Sequence, residues 1–507
     1  MTLRYGLALL SVLLGVAVAA ACSSEDPSQT SPADAGPSGE GSVTTDGPVD
    51  TPSSLTFWRS GSRLRAEVLR AGDATMFERF FDTHRNEACS FQATAPGEYH
   101  CLPSAMNVAY AEPTCETPAV AIVRSCTKTT KYATTAATIT AECDSHYLVQ
   151  KVFTVGPSIA EGDTWDTVVT GTCALVERSP EDGSVRHALG PEVPLTEFVK
   201  ATISRVSLSS DISVRRLVGE DGSELTLGAL FDHTRDAGCG VVFVGPPNAS
   251  VGACIPERFA HADTESNRFA NASCTEAAAY AVYPPGCTST SDGVAVLHSR
   301  VDAGAGCRPS SMRTIHERGG PLTTWYEGPS CTPVATEPGA AMFALGPELA
   351  PSVFPAIDEQ VFGTARVGLR AFAQAGVRLT NGSLYDVTAK RHCAPSMFSD
   401  GKLYCLAGDV VPYGFKDRYK DPACTQPIYL SERCSPARAL VEVLEYGCTG
   451  NVYDAKLLPL SPPFELPTYY EKTATCDAKT NDIGLAHDVL APVPAAGQLF
   501  ELSRARE

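Results

Sequence analysis

Short apolar or alternating runs, bounded by turn residues, follow one another along most of the chain. The clearest cover residues 119–123, 146–155, 240–244, 293–301 and 439–446. Runs of this length that are rich in β-forming residues predict strands. Helical periodicity is scarce, and we predict turn plus strand even at 226–235, where it is strongest. The pattern therefore predicts an all-β fold.

Tight-turn dipeptides separate several of these runs. Asp-Gly and Asn-Gly suit the positive φ angles of two-residue hairpin turns, so they predict antiparallel neighbours. They occur at Asp182-Gly183, Asp221-Gly222, Asp292-Gly293, Asn381-Gly382 and Asp400-Gly401.

The cysteines show that the pattern occurs three times. Of nineteen, Cys22 stands alone and eighteen form three sets of six, whose first members, Cys89, Cys239 and Cys393, are 150 and 154 residues apart. An aromatic-Asp pair ends seven residues before each of them, at Phe81-Asp82, Phe231-Asp232 and Tyr385-Asp386. Such a period indicates one large unit repeated three times. We assign repeat 1 to residues 55–205, repeat 2 to 206–360 and repeat 3 to 361–507, and expect them to form one globular unit.

Two architectures fit these repeats. Each repeat contains about eight predicted strands, which divide into two groups of four. Three repeats then fit a six-bladed β-propeller-like ring, in which every repeat supplies two blades. The alternative is three tandem disulfide-rich β-sandwich modules, since one repeat also has the usual size of a domain.

The N-terminus has the pattern of an export signal. Arg4 precedes an apolar stretch from Gly6 to Ala20 that is too short for a membrane span, and small alanines follow. Residues 1–21 are therefore a predicted signal peptide. Residues 23–54 contain Ser, Thr, Pro, Gly and acidic residues with almost nothing to bury, so we predict a disordered acidic tether at 22–54.

Cys22, directly after this signal, resembles the lipidated cysteine of bacterial lipoproteins. Lipidation accounts for the odd cysteine, and Ser23 resembles the outer-membrane address of such proteins. The predicted partner of Cys22 is thus outer-membrane lipid. Ala19 stands where Leu is usual, which leaves ordinary cleavage, and a periplasmic or secreted protein, as the alternative.

The eighteen repeat cysteines have the spacing of disulfides. No two cysteines are closer than ten residues and no His pair stands at metal spacing, which argues against zinc. An even set per repeat in an exported chain indicates disulfides. We predict sequential pairing, because residues 393–405 have the pattern of a hairpin that brings its ends together. The predicted bonds are Cys89–Cys101, Cys115–Cys126, Cys143–Cys173, Cys239–Cys254, Cys274–Cys287, Cys307–Cys331, Cys393–Cys405, Cys424–Cys434 and Cys448–Cys476.

Short catalytic motifs are missing from the sequence. It has no G-x-S-x-G elbow, H-E-x-x-H helix, phosphate-binding loop or G-x-G-x-x-G turn, and it predicts neither a cofactor nor a metal. Asp82, Asp232 and Asp386 are the candidate binding residues, because three equivalent carboxylates at a ring axis suit a cation or a sugar. The interpretation that we favour is that each aspartate caps the turn after its strand.

Other candidates also have a structural interpretation. His84 and His233 have no histidine counterpart in repeat 3, and Arg85 and Arg235 are expected to pair with the aspartates or a neighbour. Glu192 and Glu348 are expected in loops. Aromatic residues before the sixth cysteines suit a sugar-stacking platform or, more commonly, packing against a disulfide. These aromatic residues are Trp165, Trp325, Tyr326, Tyr469 and Tyr470.

Charge excludes one class of partner. The net charge of the 507 residues is −18, whereas binding to nucleic acid needs clustered Lys and Arg. We expect no nucleic-acid partner.

The layout as a whole resembles an uncharacterised class of Gram-negative lipoproteins with a lipidated cysteine, a Ser/Pro/Gly/Asp tether and cysteine-rich repeats of the aromatic-Asp, C-x-P type. The C-x-P element is present at Cys101-Leu102-Pro103 and Cys254-Ile255-Pro256. The resemblance implies no known activity. The sequence favours a surface-tethered, non-enzymatic binding or scaffold protein, with a glycan or protein ligand. The alternative is an extracytoplasmic, glycosidase-like hydrolase with carboxylates at a propeller axis.

Overall fold

The structure is a computed structural model, and it describes residues 56–507 with short gaps. The gaps are 111–113, 117, 125–130, 142–143, 159–163, 168–172, 177–183, 247–249, 258, 265–266, 283–292, 302–309, 337–339, 375, 414–416, 432–436, 448–449, 473–474 and 482–483. The predicted signal peptide, Cys22 and the tether therefore lie outside the described residues.

Strands account for nearly all regular structure. Two short 3-10 helices, Leu195–Glu197 and Pro351–Val353, are present, and no α-helix occurs in the described part of the chain. The all-β prediction is confirmed. Residues 226–232 belong to a strand, as predicted. No helix within the described ranges is long and apolar enough to span a membrane.

The strands follow one another in three similar series. The first series is β1 (Trp58–Arg59), β2 (Leu64–Ala71), β3 (Ala74–Asp82), β4 (Glu87–Ala95), β5 (Glu98–Pro103), β6 (Ala105–Tyr110), β7 (Pro118–Arg124), β8 (Tyr132–Ala141), β9 (Asp144–Ser158), β10 (Thr164–Thr167), β11 (Cys173–Val176) and β12 (Ser184–Val193). The second is β13 (Lys200–Ser207), β14 (Ile212–Gly219), β15 (Glu224–Asp232), β16 (Ala237–Val244), β17 (Val251–Pro256), β18 (Ala260–Asp263), β19 (Arg268–Phe269), β20 (Ala278–Val282), β21 (Val294–Val301), β22 (Ser310–Leu322), β23 (Thr324–Glu327), β24 (Thr332–Ala335) and β25 (Ala340–Leu349).

The third series starts before the predicted boundary of repeat 3. It is β26 (Ala356–Phe362), β27 (Val367–Gln374), β28 (Val377–Arg378), β29 (Ser383–Asp386), β30 (Arg391–Phe398), β31 (Leu403–Ala407), β32 (Val410–Tyr413), β33 (Arg418–Tyr419), β34 (Ile428–Ser431), β35 (Ala439–Gly447), β36 (Gly450–Pro459), β37 (Phe464–Glu465), β38 (Thr468–Lys472), β39 (Cys476–Thr480), β40 (Leu485–Asp488), β41 (Val493–Pro494) and β42 (Phe500–Arg506).

The first half of each repeat contributes to one continuous circuit of antiparallel strands, which we call the frame. Strands β2–β5 form a meander, and so do β14–β17 and β27 with β29–β31. One further strand joins each meander to the next. Strand β13 pairs with β5 and β14, β26 with β17 and β27, and β42 with β31 and β2. The pairings therefore return to the strand from which they start.

The second halves of repeats 1 and 2 each form a separate side sheet. In repeat 3, strands β32, β35, β36 and β41 instead belong to the same sheet as the frame, through parallel pairing of β36 with β30. In repeat 2 the side sheet is closed, in the order β18-β20-β25-β22-β21, with parallel pairing of β18 and β21. In repeat 1, β6, β7, β12, β9 and β8 pair in the same order, and β6 is parallel to β8. Each second half also contains a hairpin, β10–β11, β23–β24 or β38–β39. In repeat 1 the hairpin pairs with side-sheet strand β6, and in repeats 2 and 3 it pairs with the short strands β19 and β33.

These pairings differ from both expected architectures. They do not show six four-stranded blades, because the frame strands of all three repeats are joined in one circuit and the side sheet of repeat 2 is a closed set of five strands. Independent sandwich modules do not account for β13, β26 and β42, each of which pairs with strands of two repeats. A repeat therefore pairs with its neighbours through the backbone.

The apolar core follows the frame. Leu64, Phe80, Leu102, Ile212 and Ile255 are fully buried, and all of them lie on frame strands. Burial of side chains of this size contributes about 1.5–3 kcal/mol each. The hydrophobic core therefore stabilises the joined meanders.

The six described disulfides repeat one pattern. The first two cysteines of each repeat are bonded, as predicted, at Cys89–Cys101, Cys239–Cys254 and Cys393–Cys405. The third cysteine is bonded to the sixth, at Cys115–Cys173, Cys274–Cys331 and Cys424–Cys476. By the chain-entropy relation, each long link contributes about 4 kcal/mol and each short one about 3 kcal/mol.

The other sequential pairs are therefore wrong. These predictions were Cys115–Cys126, Cys143–Cys173, Cys274–Cys287, Cys307–Cys331, Cys424–Cys434 and Cys448–Cys476. The reason is that the sixth cysteine begins or directly precedes the second strand of the hairpin in the second half of its repeat, and this strand lies beside the third cysteine. The fourth and fifth cysteines of each repeat lie outside the described residues.

Candidate functional site

The three candidate aspartates end equivalent strands of the frame and cap the turns that follow. Asp82, Asp232 and Asp386 are at most 4% exposed. Asp82 Oδ1 accepts hydrogen bonds from the backbone N–H of His84 and Arg85, at 3.0 and 3.3 Å. The other two aspartates accept the equivalent pairs of backbone bonds. Turn capping, the favoured interpretation, is what the structure shows.

Each aspartate also binds one arginine, and this arginine comes from either of two positions. Arg63 and Arg366, which directly precede the first frame strand of their repeats, bind Asp82 and Asp386 at 2.7 and 2.9 Å. In repeat 2 that position is occupied by Asp211. Arg235, which follows Asp232 in the turn, binds it at 3.0 Å instead.

The arginine makes a third contact that is common to the repeats. In each repeat, its Nη2 donates to a backbone carbonyl in the segment before the next joining strand. The acceptors are Glu197 O at 2.6 Å, Val353 O at 2.8 Å and Gln498 O at 3.4 Å. We call each aspartate, arginine and carbonyl set a clamp. A clamp connects the turn of one meander to the strand that leads to the next.

Charge and hydrogen bonding keep the clamp aspartates ionised. Burial alone raises the pKa of such a carboxyl, but hydrogen bonds from the arginine and from the turn hold the pKa of all three below the usual 3.8. Because the folded-state pKa is lowered, the clamps stabilise the fold above roughly pH 4, the ordinary value, and lose this contribution as the pH falls through the folded-state pKa.

The aspartates are therefore not free carboxylates at a shared axis. Each has its own arginine and its own turn, and its oxygens are engaged by both. Within the described ranges, no group of three or more His, Cys, Asp or Glu side chains is arranged to hold a metal ion. In the described structure these residues have a structural role, in which each caps a turn and pairs with an arginine.

Beside the clamp of repeat 1 lies an open cleft of about 400 Å³. Its lining consists of Arg63, His84, Arg85, Thr196 and Glu197. Two arginines therefore face one small polar cleft.

Arg85 is held in this cleft from several sides. Its Nε donates to Glu87 Oε1 at 2.8 Å, and its Nη2 donates to the Tyr132 hydroxyl at 2.6 Å. Its guanidinium carbon lies 4.6 Å from the centre of the Phe198 ring, a cation–π distance. The nearest oxygen of Glu197 is 3.7 Å from Nη1, which is beyond hydrogen-bond range.

Sequence reasoning found part of this site. Arg235 pairs with its aspartate and Arg85 with its neighbour Glu87, as expected. Arg63 and Arg366 were missed. The available signal was an arginine directly before the first frame strand in two repeats, and Asp211 in the third copy obscured it.

The other candidates are distributed over the side sheets and the turns. Tyr469 is buried in an apolar cluster with Ile428 and Leu430, whereas Arg268 lies over the rings of Tyr280 and Trp325. Trp165 and Tyr326 are half-buried, as is Tyr470. Glu192 and Glu348 are exposed but lie within strands rather than in loops. Among the predicted histidines, His84 lines the cleft and His233 packs against Phe231.

The frame, the clamps and the disulfide pattern define an all-β protein of three repeats, each of which has the same disulfides within it. The profile of a family of unknown function, DUF7481, matches residues 43–475, and the chain belongs to this family. No curated protein matches the chain. No solved structure matches it either.

Proposed function

We propose that this protein is an exported, non-enzymatic binding or scaffold protein of the cell envelope, held at the outer membrane by a lipid on Cys22. The disulfides belong to an oxidising, extracytoplasmic environment. The acidic tether after Cys22 has a composition that stays solvated. A lipidated cysteine at its start accounts for the one cysteine outside the repeats.

The observation that carries the proposal is the use of the three repeated aspartates. A hydrolase of the kind considered above needs two or three carboxylates that converge on the substrate. Asp82, Asp232 and Asp386 instead hold the frame together, each in its own clamp. Nothing in the arrangement of the described residues favours the hydrolase alternative, and we do not propose it.

A closed, cross-linked frame suits a binding role. Binding is strengthened when the contact groups are already ordered in the free protein, because less conformational entropy is lost. In this chain the cleft of repeat 1 lies on frame turns that a clamp and the Cys89–Cys101 disulfide restrain. The restrained cleft is therefore a preformed surface for a ligand.

Replacing Cys22 tests the anchor. We expect that wild-type cells fed with radioactive palmitate contain labelled protein in the outer-membrane fraction. The Cys22→Ser variant should lose both the label and the membrane association, because the lipid has no other attachment site in the tether. A Ser23→Ala variant is the matched control and should still carry the label. Unlabelled wild-type protein in the soluble periplasmic fraction would contradict the proposal.

A further inference from the structure

We propose that the cleft of repeat 1 binds an oxyanion, a carboxylate or phosphate group, between Arg63 and Arg85. This inference names a ligand chemistry for the binding function proposed above and rests on that function. It is carried by the geometry of the cleft and by the comparison of the three repeats.

Both arginines line the cleft and have donors beyond those that their structural roles use. Arg63 uses Nε and Nη2 on Asp82 and on the carbonyl of Glu197. Arg85 uses Nε and Nη2 on Glu87 and Tyr132. Within the described residues, Nη1 of neither arginine makes a hydrogen bond. Guanidinium groups of this kind are the preferred protein donors to carboxylates and phosphates.

The other repeats show that the fold needs one clamp arginine, not two. Backbone bonds identify the matching positions, since Thr83, His233 and Val387 donate to the carbonyls of Arg63, Asp211 and Arg366. Repeat 2 has Asp211 at the first position and Arg235 in the turn. Repeat 3 has Arg366 at the first position and Ala389 in the turn. Only repeat 1 has arginine at both, so Arg85 is additional to the clamp.

Arg85 is nevertheless fixed in place, although it has no clamp role. Its side chain is 19% exposed and packs on Phe198, in the geometry that Arg235 has over Phe354 at 4.4 Å. In repeat 3, where Ala389 replaces the arginine, Leu499 replaces the aromatic residue. The stacked pair is therefore present only where a turn arginine is present. A restrained arginine loses little entropy when it binds a ligand.

The carboxylates around the cleft compete with a ligand for the two arginines. Asp82 and Glu87 each bind one arginine from the protein side. Glu197 is different, because it is 60% exposed and approaches Arg85 without a hydrogen bond. An incoming oxyanion takes the place of the Glu197 carboxylate at Arg85 Nη1. Removing the charge of Glu197 should therefore strengthen binding.

Calorimetric titration of the purified protein tests the site. The probes are inorganic phosphate and glucuronate, with glucose as the neutral control. The anion that binds more tightly shows whether the site prefers a phosphate or a carboxylate group. We expect binding of at least one of the two anions. The double variant His84→Thr/Arg85→Ala reproduces the residues Thr388 and Ala389 of repeat 3, so the frame tolerates them. It should weaken binding at least about tenfold through the loss of charge-assisted hydrogen bonds.

Two further variants separate the site from general charge. Glu197→Gln should bind more tightly than wild type. Arg504→Ala removes the same charge from an exposed ion pair with Glu78 and should leave binding unchanged. If the double variant does not fold, the affinity of Glu197→Gln relative to wild type decides whether the anion binds in this cleft.

Three results would overturn the oxyanion site. In the first, the wild-type protein gives the same heats with phosphate and glucuronate as with glucose. In the second, Arg504→Ala weakens binding as much as the double variant does. In the third, Glu197→Gln binds the anion more weakly than wild type. None of them changes the palmitate label on Cys22. The result that counts against the proposed function itself is the absence of the label from the wild-type protein.

Discussion

At the scale of single residues, the clamps show one structural requirement met in two ways. A buried aspartate at the end of a strand needs a cation, because an unpaired buried charge is costly. Arg63 and Arg366 supply it from before the first frame strand, and Arg235 supplies it from the turn. The charge is retained while its place in the sequence changes.

Moving the clamp arginine tests this interpretation. Arg235→Ala should lower the free energy of unfolding by about 2–3 kcal/mol, because Asp232 is left buried without its partner. Adding Asp211→Arg should restore at least half of the loss, since the new arginine occupies the position of Arg63. Urea denaturation measures both effects.

The control for this swap is Asp211→Ala/Arg235→Ala. It removes the charge of Asp211 without supplying an arginine, so it should remain as unstable as Arg235→Ala. A double variant with Asp211→Arg that is no more stable than this control would contradict the equivalence of the two positions.

Sequence reasoning reached the aspartates but only half of their partners. The register of Asp82, Asp232 and Asp386 before a cysteine is constant, so it is visible in one chain. The capping role follows from the known preference of Asp for turns. The clamp carbonyls, however, come from residues more than 100 positions away in repeats 1 to 3. No local pattern indicates such a contact.

At the scale of strands, the joining strands determine how the repeats fit together. Strand β26 approaches β17 so closely that a side chain at Gly252 has no room. A Cβ atom there would lie 2.3 Å from the carbonyl oxygen of Ile357, its partner in the neighbouring strand. Gly240, in the adjacent strand of the same meander, has nothing within 4 Å of its Cβ position. The two glycines are therefore a matched pair.

Alanine at these glycines tests the junction between repeats 2 and 3. Gly252→Ala should destabilise the protein by about 1–3 kcal/mol, the usual cost of overpacking. Gly240→Ala should be neutral or stabilising by up to about 1 kcal/mol, because alanine loses less backbone entropy than glycine on folding. Thermal unfolding of both variants compares them. Equal melting temperatures would contradict the close pairing of β17 with β26.

The positions of strands could be predicted from the sequence, whereas the pairing of distant strands could not. The runs at 119–123, 146–155, 240–244, 293–301 and 439–446 all fall wholly or largely in strands. Their alternation and turn residues are local signals. Pairing of β42 with β2, across nearly the whole chain, depends on closure of the circuit. The sequence analysis divided the strands of each repeat into consecutive groups of four, and this division led to the prediction of propeller blades. It did not identify the side sheets.

At the scale of the whole molecule, the three repeats meet around the start of the frame. Trp58 pairs through its backbone with Leu225 of repeat 2. Its ring lies 6.0 Å from that of Phe77 in repeat 1 and 4.8 Å from the guanidinium of Arg378 in repeat 3. Burial lowers the pKa of Arg378 to about 10. The described chain thus begins at a point that contacts all three repeats.

The turns of the meanders add further links between repeats. Asp221 of repeat 2 accepts from the backbone N–H of Arg63 and Leu64 in repeat 1, at 3.1 and 2.7 Å. Asp73 of repeat 1 accepts from that of Thr364, at 2.9 Å, at the start of repeat 3. The frame is therefore held by backbone pairing, by clamps and by these turn aspartates.

Disulfide mapping of the exported, non-reduced protein tests the central claim, one disulfide-linked unit repeated three times in a single frame. The account predicts Cys89–Cys101 and Cys115–Cys173, with their counterparts in repeats 2 and 3. A cross-link between different repeats, a Cys115–Cys126 bond or a set of free thiols would contradict it.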